Sequence, residues 1–320
     1  MAEAANISAS RHEADENMMD RIKRTNLSND RRIQISRMLQ LNMLEEIGRV
    51  ASRAGLGEEI IFHGGTSLNA NHGSLRWSED LDFMASPKFA EQLFGSRRRI
   101  EAALKFRASL AMPGSVVDLI DKTPESGRDL RGVDRMLLRW EHPAHVGAVK
   151  VKVELYLCDP DVISAYMSEP MSPRIEGLQS RAQINSATLV SIWADKIVAM
   201  AQRPALKHRD MHDLGYILPR LDPAADRDAA LGASMAVYDR SAKEIRMGLM
   251  RDIVLEGIED KESFADNMAN WFSESEMSEI REAGALDRLY DAFRVSFAQG
   301  VDLVDKMAGH APDASGGLRL

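Results

Sequence analysis

The segment from Ile61 to Met84, IFHGGTSLNANHGSLRWSEDLDFM, limits this chain more than any other. An apolar run, Ile60-Ile61-Phe62, halts at Gly64-Gly65, and the hydroxyl pair Thr66-Ser67 follows. Glycines at a strand end let backbone N–H groups approach a phosphate closely. Fifteen residues beyond Gly65 comes Asp80-Leu81-Asp82-Phe83. Residues two apart in a strand share a face, so Asp80 and Asp82 project their carboxylates together. Such a pair repels itself unless a cation sits between, and hard divalent ions such as Mg²⁺ or Mn²⁺ take oxygen ligands. A phosphate cradle facing a two-carboxylate metal site is equipment for nucleotidyl or phosphoryl transfer. The bland alternative is two solvent-facing acids on an edge strand. Gly64-Gly65-Thr66-Ser67 at this spacing, with Arg76 and Ser78 between, argues against it.

Around this segment the pattern is mixed. Apolar residues recur at helical spacing from Asn29 to Ala54, with Ser28 or Asn29 as cap and Gly55 and Gly57 as terminators. The pattern predicts strands over Glu59–Phe62, Leu81–Met84, Val116–Ile120, Arg135–Trp140 and Val149–Leu157, and one helix from Pro87 to about Phe106. Residues 121–134 read as a polar turn region. After Asp159-Pro160 the strand signal disappears. Residues 186–202, 207–218 and most of 223–307 read as helices broken at Pro204, Pro219 and Pro223. The domain expectation is a flexible tail over 1–26, a catalytic mixed sheet over 27–160, a helical domain over 161–308, and a flexible tail over 309–320.

Composition narrows the function classes. No apolar run approaches the roughly 18 residues of a membrane span, and the N-terminus lacks the apolar core of a secretory signal. The single cysteine, Cys158, rules out an intramolecular disulfide and fits a cytoplasmic location. It reads as a small buried residue. The net charge of −8 sits at the C-terminal end, where Leu221–Leu320 carries 11 Lys/Arg against 20 Asp/Glu. Bulk charge therefore argues against avid nonspecific nucleic-acid binding, while leaving room for a local basic channel. His208 and His212 share a helix face, but no general-base glutamate lies between them, so a zinc site is not expected. Aromatic content of 6% shows no clustered stacking platform.

Three blocks together give the chain a likeness. The first is GGTSL followed by RWSEDLDF; the second is VKVELYL, with Glu154; the third is DKIVAMAQRPALKHRDMHDLGYI. In their order they resemble the nucleotidyltransferase superfamily, and within it the AbiEii/AbiGii toxin family of type IV toxin–antitoxin systems. The likeness covers roughly residues 58 to 218, and the first and third blocks are specific only in combination.

The resemblance implies an α/β (α+β) fold with a nucleotidyltransferase-like mixed sheet, flanking helices and a helical C-terminal domain. It implies an NTP substrate, Mg²⁺ or Mn²⁺, an RNA acceptor such as the 3′ end of tRNA, and a separately encoded antitoxin. Asp80, Asp82 and Glu154 would hold metal. Gly64, Gly65, Thr66 and Ser67 would hold phosphates through N–H groups and hydroxyls, with Arg76 and Ser78 beside them. Lys196 would neutralise phosphate charge, and Asp210 would belong to the active site as base or as a partner orienting Lys196, a role Asp213 could fill instead.

Each residue also has a plainer reading: a solvated strand face for Glu154, a surface lysine for Lys196, a structural ion pair for Arg76, and an intrahelical salt bridge among Arg209, Asp210 and Asp213. Two rival functions stay open. One is nucleotide transfer to a small molecule or protein hydroxyl, favoured slightly by the acidic C-terminal region because RNA is a polyanion. The other is a non-catalytic interaction module, which gives no reason to keep a repelling acidic pair.

Overall fold

A computed structural model describes residues 25–124, 132–175 and 177–309. The tails expected over 1–26 and 309–320 therefore lie almost wholly outside the described residues. In chain order the elements are β1 (Thr25–Asn26), α1 (Asn29–Ala54), β2 (Ile60–His63), α2 (Gly64–His72), β3 (Asp80–Ala85), α3 (Pro87–Gly95), α4 (Arg97–Ala111), β4 (Val116–Asp121), β5 (Val133–Glu141), β6 (His145–Val146) and β7 (Val149–Leu157). There follow α5 (Pro160–Ala165), β8 (Ser168–Met171), β9 (Arg174–Ile175), β10 (Leu178–Gln179), β11 (Ile184–Ala187), α6 (Leu189–Gln202) and α7 (His208–Ile217). Six more helices close the order: α8 (Arg227–Val237), α9 (Ala242–Leu249), α10 (Asp252–Glu259), α11 (Lys261–Met268), α12 (Glu274–Glu282) and α13 (Ala285–Met307).

Helix α1 starts and stops where the sequence says. Ser28 accepts the Arg31 N–H at 3.2 Å, and Gly55 ends the helix in the left-handed region at φ 66°. Its buried stripe lies on one face of a seven-stranded sheet ordered β4-β5-β7-β3-β2-β11-β8. Strands β3 and β7 run parallel, as do β2 and β11; the other neighbours are antiparallel.

Alternation along the central strands divides the core in two. Ile60, Phe62, Leu81, Phe83, Val153 and Leu155 face α1, α3 and α4 in one apolar cluster. Ile61 and Met84 point the other way, into a cluster built with α6 to α13, and half-buried Tyr156 packs against it. The next residues on that second face, His63, Asp82 and Glu154, are not apolar; they lie side by side in register at the edge of the second core.

Three expectations need correction. The strand signal does not end at Pro160: β8 and β11 extend the sheet to Ala187, so residue 160 falls inside its strand sequence and not beyond it. Strand β11 is Ile-Asn-Ser-Ala, too short and polar to show a period of two. It exists because its Ser186 pairs with Phe62 of β2 and β8 covers its outer edge. The single helix from Pro87 is two, broken at Ser96, which ends α3 and precedes α4. The polar turn region over 121–134 overlaps β4 and β5, and its middle, 125–131, is outside the described residues.

Candidate active site

The acids come first. In β3, Asp80 stands opposite Lys152 of β7, and Asp82 stands between His63 of β2 and Glu154 of β7. Directly opposed residues share a sheet face, so Asp80, Asp82 and Glu154 lie on one surface. Asp82 is held above the ordinary carboxylate range, first by burial and then by the charges of Asp80 and Glu154; His63 and Lys196 pull it partly back. Asp80 Oδ1 is buried without a hydrogen bond, and the Lys152 ammonium lies 3.3 Å from it. The Glu154 carboxylate is turned outward to Arg135 Nε at 2.9 Å.

Helix α2 begins directly after β2, at Gly64. Its N-cap, His63, makes no side-chain cap bond, so the first N–H groups of α2 are open to an anion. Both glycines are required here. Gly64 has φ 77°, and a Cβ on it would meet Asp82 Oδ2 at 2.5 Å. A Cβ on Gly65 would meet an Arg76 nitrogen at 2.5 Å and Ser78 Oγ at 2.9 Å. The glycines thus let the helix start press against the acids.

Thr66 and Ser67 are placed differently from Gly64 and Gly65. The Thr66 hydroxyl donates to the Asp80 carbonyl, and Ser67 is fully buried, accepting from Asn71 at 3.3 Å. Both hydroxyls are committed inside the fold and outside the cleft lining. They hold the acidic strand against α2.

The opposite wall comes from α6 and α7. Lys196 on α6 lies 2.9 Å from Asp210 and 2.7 Å from Asp213, both on α7. The break at Pro204 turns the chain so that residues 14 apart meet. Arg76 reaches over from the loop before β3 and grips Asp213 with two bonds of 2.8 and 2.9 Å; its third nitrogen donates to the Trp77 carbonyl. Arg203 holds the other oxygen of Asp210. Arg76, Lys196, Asp210 and Asp213 are all buried. Burial pushes the Asp213 carboxyl up, but Arg76 and Lys196 overcome it and hold it well below its usual range. Burial lowers the Lys196 pKa, and Asp213 opposes that shift.

Between the walls is a cleft of about 170 Å³ lined by His63, Gly64, Gly65, Arg76, Ser78, Asp80, Asp82, Asp195, Lys196, Ala199, Arg203, Arg209 and Tyr238. Of the sequence-derived candidates, Gly64, Gly65, Arg76, Ser78, Asp80, Asp82 and Lys196 line it. Thr66, Ser67, Asp210 and Asp213 stand behind it, and Glu154 stands at its rim. In place of the intrahelical salt bridge that was the plainer reading of α7, Asp213 is held by Arg76 and Lys196.

Sequence reasoning passed over His63, Asp195, Arg203 and Tyr238. Asp195 accepts from Tyr166 at 2.6 Å and Ser234 at 2.7 Å, with His63 3.4 Å away. The one available signal was Asp195 beside Lys196 in the same helix. Trp77 and Trp271 also meet, 6.2 Å apart, with the Arg76 and Arg209 guanidiniums against Trp271. No local spacing reveals a pair so distant in sequence. Burial lowers the pKa of both His208 and His212, and His212 Nδ1 lies 3.2 Å from Asp213. Cys158 is buried, and burial pushes its thiol up to about 12.

The residues present suit a divalent cation in one respect and not another. Among the described residues, no three His, Cys, Asp or Glu side chains are gathered closely enough to hold a metal by themselves. Asp80 and Asp82, with an unbonded buried oxygen and excess negative charge, fit the sparse two-carboxylate site of Mg²⁺, which takes its remaining oxygens from water and substrate phosphates. Glu154 joins them through charge rather than through a shared cage.

A family model described as "Nucleotidyl transferase AbiEii toxin, Type IV TA system" matches residues 47–312. Among solved structures, a candidate nucleotidyltransferase from H. pylori aligns at 15% identity and TM-score 0.45, over 88% of this chain and 98% of its own. JHP933 from Helicobacter pylori aligns at 14% identity and TM-score 0.44, over 87% of this chain and 95% of its own. No curated protein matches. The chain belongs to the AbiEii nucleotidyltransferase toxin family of type IV toxin–antitoxin systems.

Proposed function

We propose that this family member transfers a nucleoside monophosphate from an NTP to an acceptor hydroxyl on RNA, with tRNA 3′ ends as the first candidates, and that a separately encoded antitoxin opposes it. The observation that carries the reading is the helix start at Gly64-Gly65 pressed against the Asp80/Asp82 pair on one wall of the cleft, with Lys196 on the other wall.

In this reading the N–H groups at Gly64 and Gly65 bind the terminal phosphates, and the Lys196 ammonium faces them across the cleft as a point charge. Bound at Asp80 and Asp82, Mg²⁺ or Mn²⁺ would supply charge neutralisation for the α-phosphate and its leaving oxygen. The acceptor hydroxyl gives up its proton to water as its oxygen bonds to the α-phosphorus, the bond from that phosphorus to the oxygen bridging to the β-phosphate breaks, and pyrophosphate leaves. Asp210 and Asp213 never need to touch substrate. They fix Lys196 from behind, and Arg203 and Arg76 fix them in turn. Preorganised charge of this kind is where catalysis gains most.

The test is incubation with each of four labelled NTPs, a divalent ion and total tRNA, beside protein alone. Label moving to RNA supports the reading. Label moving only to protein or to small molecules would replace the acceptor, and no transfer with any NTP would remove the enzymatic reading.

A further inference from the structure

The cations on the α6–α7 side of the cleft outnumber the acids that hold them. Lys196, Arg76 and Arg203 share two carboxylates, Asp210 and Asp213. Arg209, at the start of α7, is a further cation lining the cleft. Among the described residues its side chain has no carboxylate partner and no hydrogen bond; the guanidinium rests on the Trp271 ring, 5.4 Å from its centroid. The excess of positive charge is felt by its neighbour. Burial lowers the Arg203 pKa most, and the Arg209 charge is the next cause, so the two guanidiniums stand close enough to repel. Tyr238, Asp82 and Asp213 pull the other way by less. The remaining acid of the lining, Asp195, is taken by Tyr166, Ser234 and His63.

Trp271 is itself fixed. It lies in the link between α11 and α12, where its carbonyl accepts the Trp77 N–H at 2.9 Å and its indole N–H donates to Asn267 at 3.3 Å. Its ring meets that of Trp77 at 6.2 Å. An aromatic face holds a guanidinium through the charge distribution of its ring and consumes none of the N–H donors. Arg209 is thus held at the cleft with its donors unspent. Arg76 is the contrast, because its donors go to Asp213 and to the Trp77 carbonyl. The triphosphate contact that the sequence suggested for Arg76 is therefore open to Arg209. An arginine fork meets two oxygens of one phosphate in parallel bonds.

Resting on the proposed transfer reaction, we infer that Arg209 grips the terminal phosphate of the NTP and that Trp271 is the positioning residue that holds Arg209 ready. The ligand class is a polyphosphate chain carrying a divalent ion. Its ion answers the repelling acids of β3, and its end phosphate answers the repelling guanidiniums of Arg203 and Arg209. Trp271 thereby gives the C-terminal helices a part in the site, through a residue that no local motif marks.

The test uses the full chain and the preformed Mn²⁺ complex of inorganic tripolyphosphate, a probe that has no base, titrated by calorimetry. Arg209→Gln is expected to weaken binding roughly 10- to 100-fold, the scale of charge-assisted bonds to phosphate. Arg209→Lys keeps the charge but loses the fork, so it recovers only part of that loss, and it carries the test if the glutamine variant unfolds. Trp271→Leu is expected to weaken binding roughly threefold to tenfold, and Trp271→Phe to restore most of it. The double variant Arg209→Gln/Trp271→Leu should bind no worse than Arg209→Gln alone, since Trp271 acts through Arg209. Wild-type affinity in both Arg209 variants, or no binding by the wild type, overturns the phosphate contact. Losses that simply add in the double variant overturn the positioning role of Trp271. Arg209-dependent binding in a protein that transfers no labelled NTP to any acceptor would instead remove the transfer reading and leave Arg209 as a polyphosphate ligand.

Discussion

Two acidic pairs flank the cleft, Asp80 and Asp82 lining one wall and Asp210 and Asp213 standing behind the other, and they live in opposite electrostatic conditions. Asp210 and Asp213 on α7 are buried among Arg76, Lys196 and Arg203, so their charges are fully compensated. Asp80 and Asp82 on β3 have Lys152 leaning in from an exposed position, and each other. One carboxylate, Asp213, is driven below its usual range; another, Asp82, is driven above it. The same residue type therefore serves two ends. A compensated pair is scaffolding for a lysine, and an uncompensated pair is an invitation to a cation.

Removing charge from the compensated side should do the greatest harm to the fold. Asp213→Ala leaves the Arg76 guanidinium buried without its two bonds, and breaking such a pair costs about 3–5 kcal/mol. Chemical denaturation measures it. The pH dependence has a definite sign. Because Asp213 is depressed in the folded protein, its contribution is fully present above the ordinary value of 3.8 and is lost as pH falls through the depressed one. The gap between wild type and variant should close in strong acid. A gap that is constant with pH would place the cost elsewhere.

On the uncompensated side the loss should be functional. Asp80→Ala is expected to lower nucleotide transfer at least ~10²-fold, the scale of removing one electrostatic stabiliser, with the circular dichroism spectrum unchanged. Transfer at the wild-type rate would erase the distinction between the two pairs.

Lys196 belongs to both sides, so its removal should show both effects in smaller measure. The plainer reading of Lys196 as a surface lysine does not survive its burial between two carboxylates. Each acid retains one arginine, so Lys196→Ala is expected to cost about 1–3 kcal/mol. The KM for the triphosphate should rise as well. A variant with lost stability and unchanged KM would assign Lys196 wholly to scaffolding.

Asp82→Asn should have the smallest effect, and of opposite sign. Asp82 is raised in the folded state, so the unfolded chain ionises first as pH climbs above 3.8, and the wild type pays a growing cost until its own value is passed. The amide removes that cost. The variant should melt somewhat higher than wild type at neutral pH without metal, and equally below pH 3.8. A lower neutral melting temperature would mean that the Asp82 carboxylate is already compensated.

The uncompensated side was legible in local spacing, whereas Lys196, Asp210 and Asp213 were reached only through the family resemblance and the arginines that hold the two acids were not foreseen there. Gly64, Gly65, Asp80 and Asp82 lie in one strand–helix–strand segment, where local spacing and the period of two fix their relation. Arg76 and Asp213 are distant in sequence, and only the packing of α7 against the loop before β3 shows that the arginine is spent on an aspartate. Thr66 and Ser67 looked like phosphate ligands because their hydroxyls sit beside the glycines, yet helical geometry turns both inward. Strand β11 escaped notice because its stability comes from β2 and not from its own side chains.

The direct test is thermal melting of wild type, Asp80→Asn and Asp82→Asn with each NTP, with and without Mn²⁺. The two-pair account predicts that NTP raises the wild-type melting temperature strongly only when the divalent ion is present, since binding to the native state alone stabilises it. It predicts that either substitution abolishes the ion-dependent part of the rise. An NTP-induced rise of equal size with and without the ion, or one that persists in both variants, would contradict the assignment of Asp80 and Asp82 as the site's unmet negative charge.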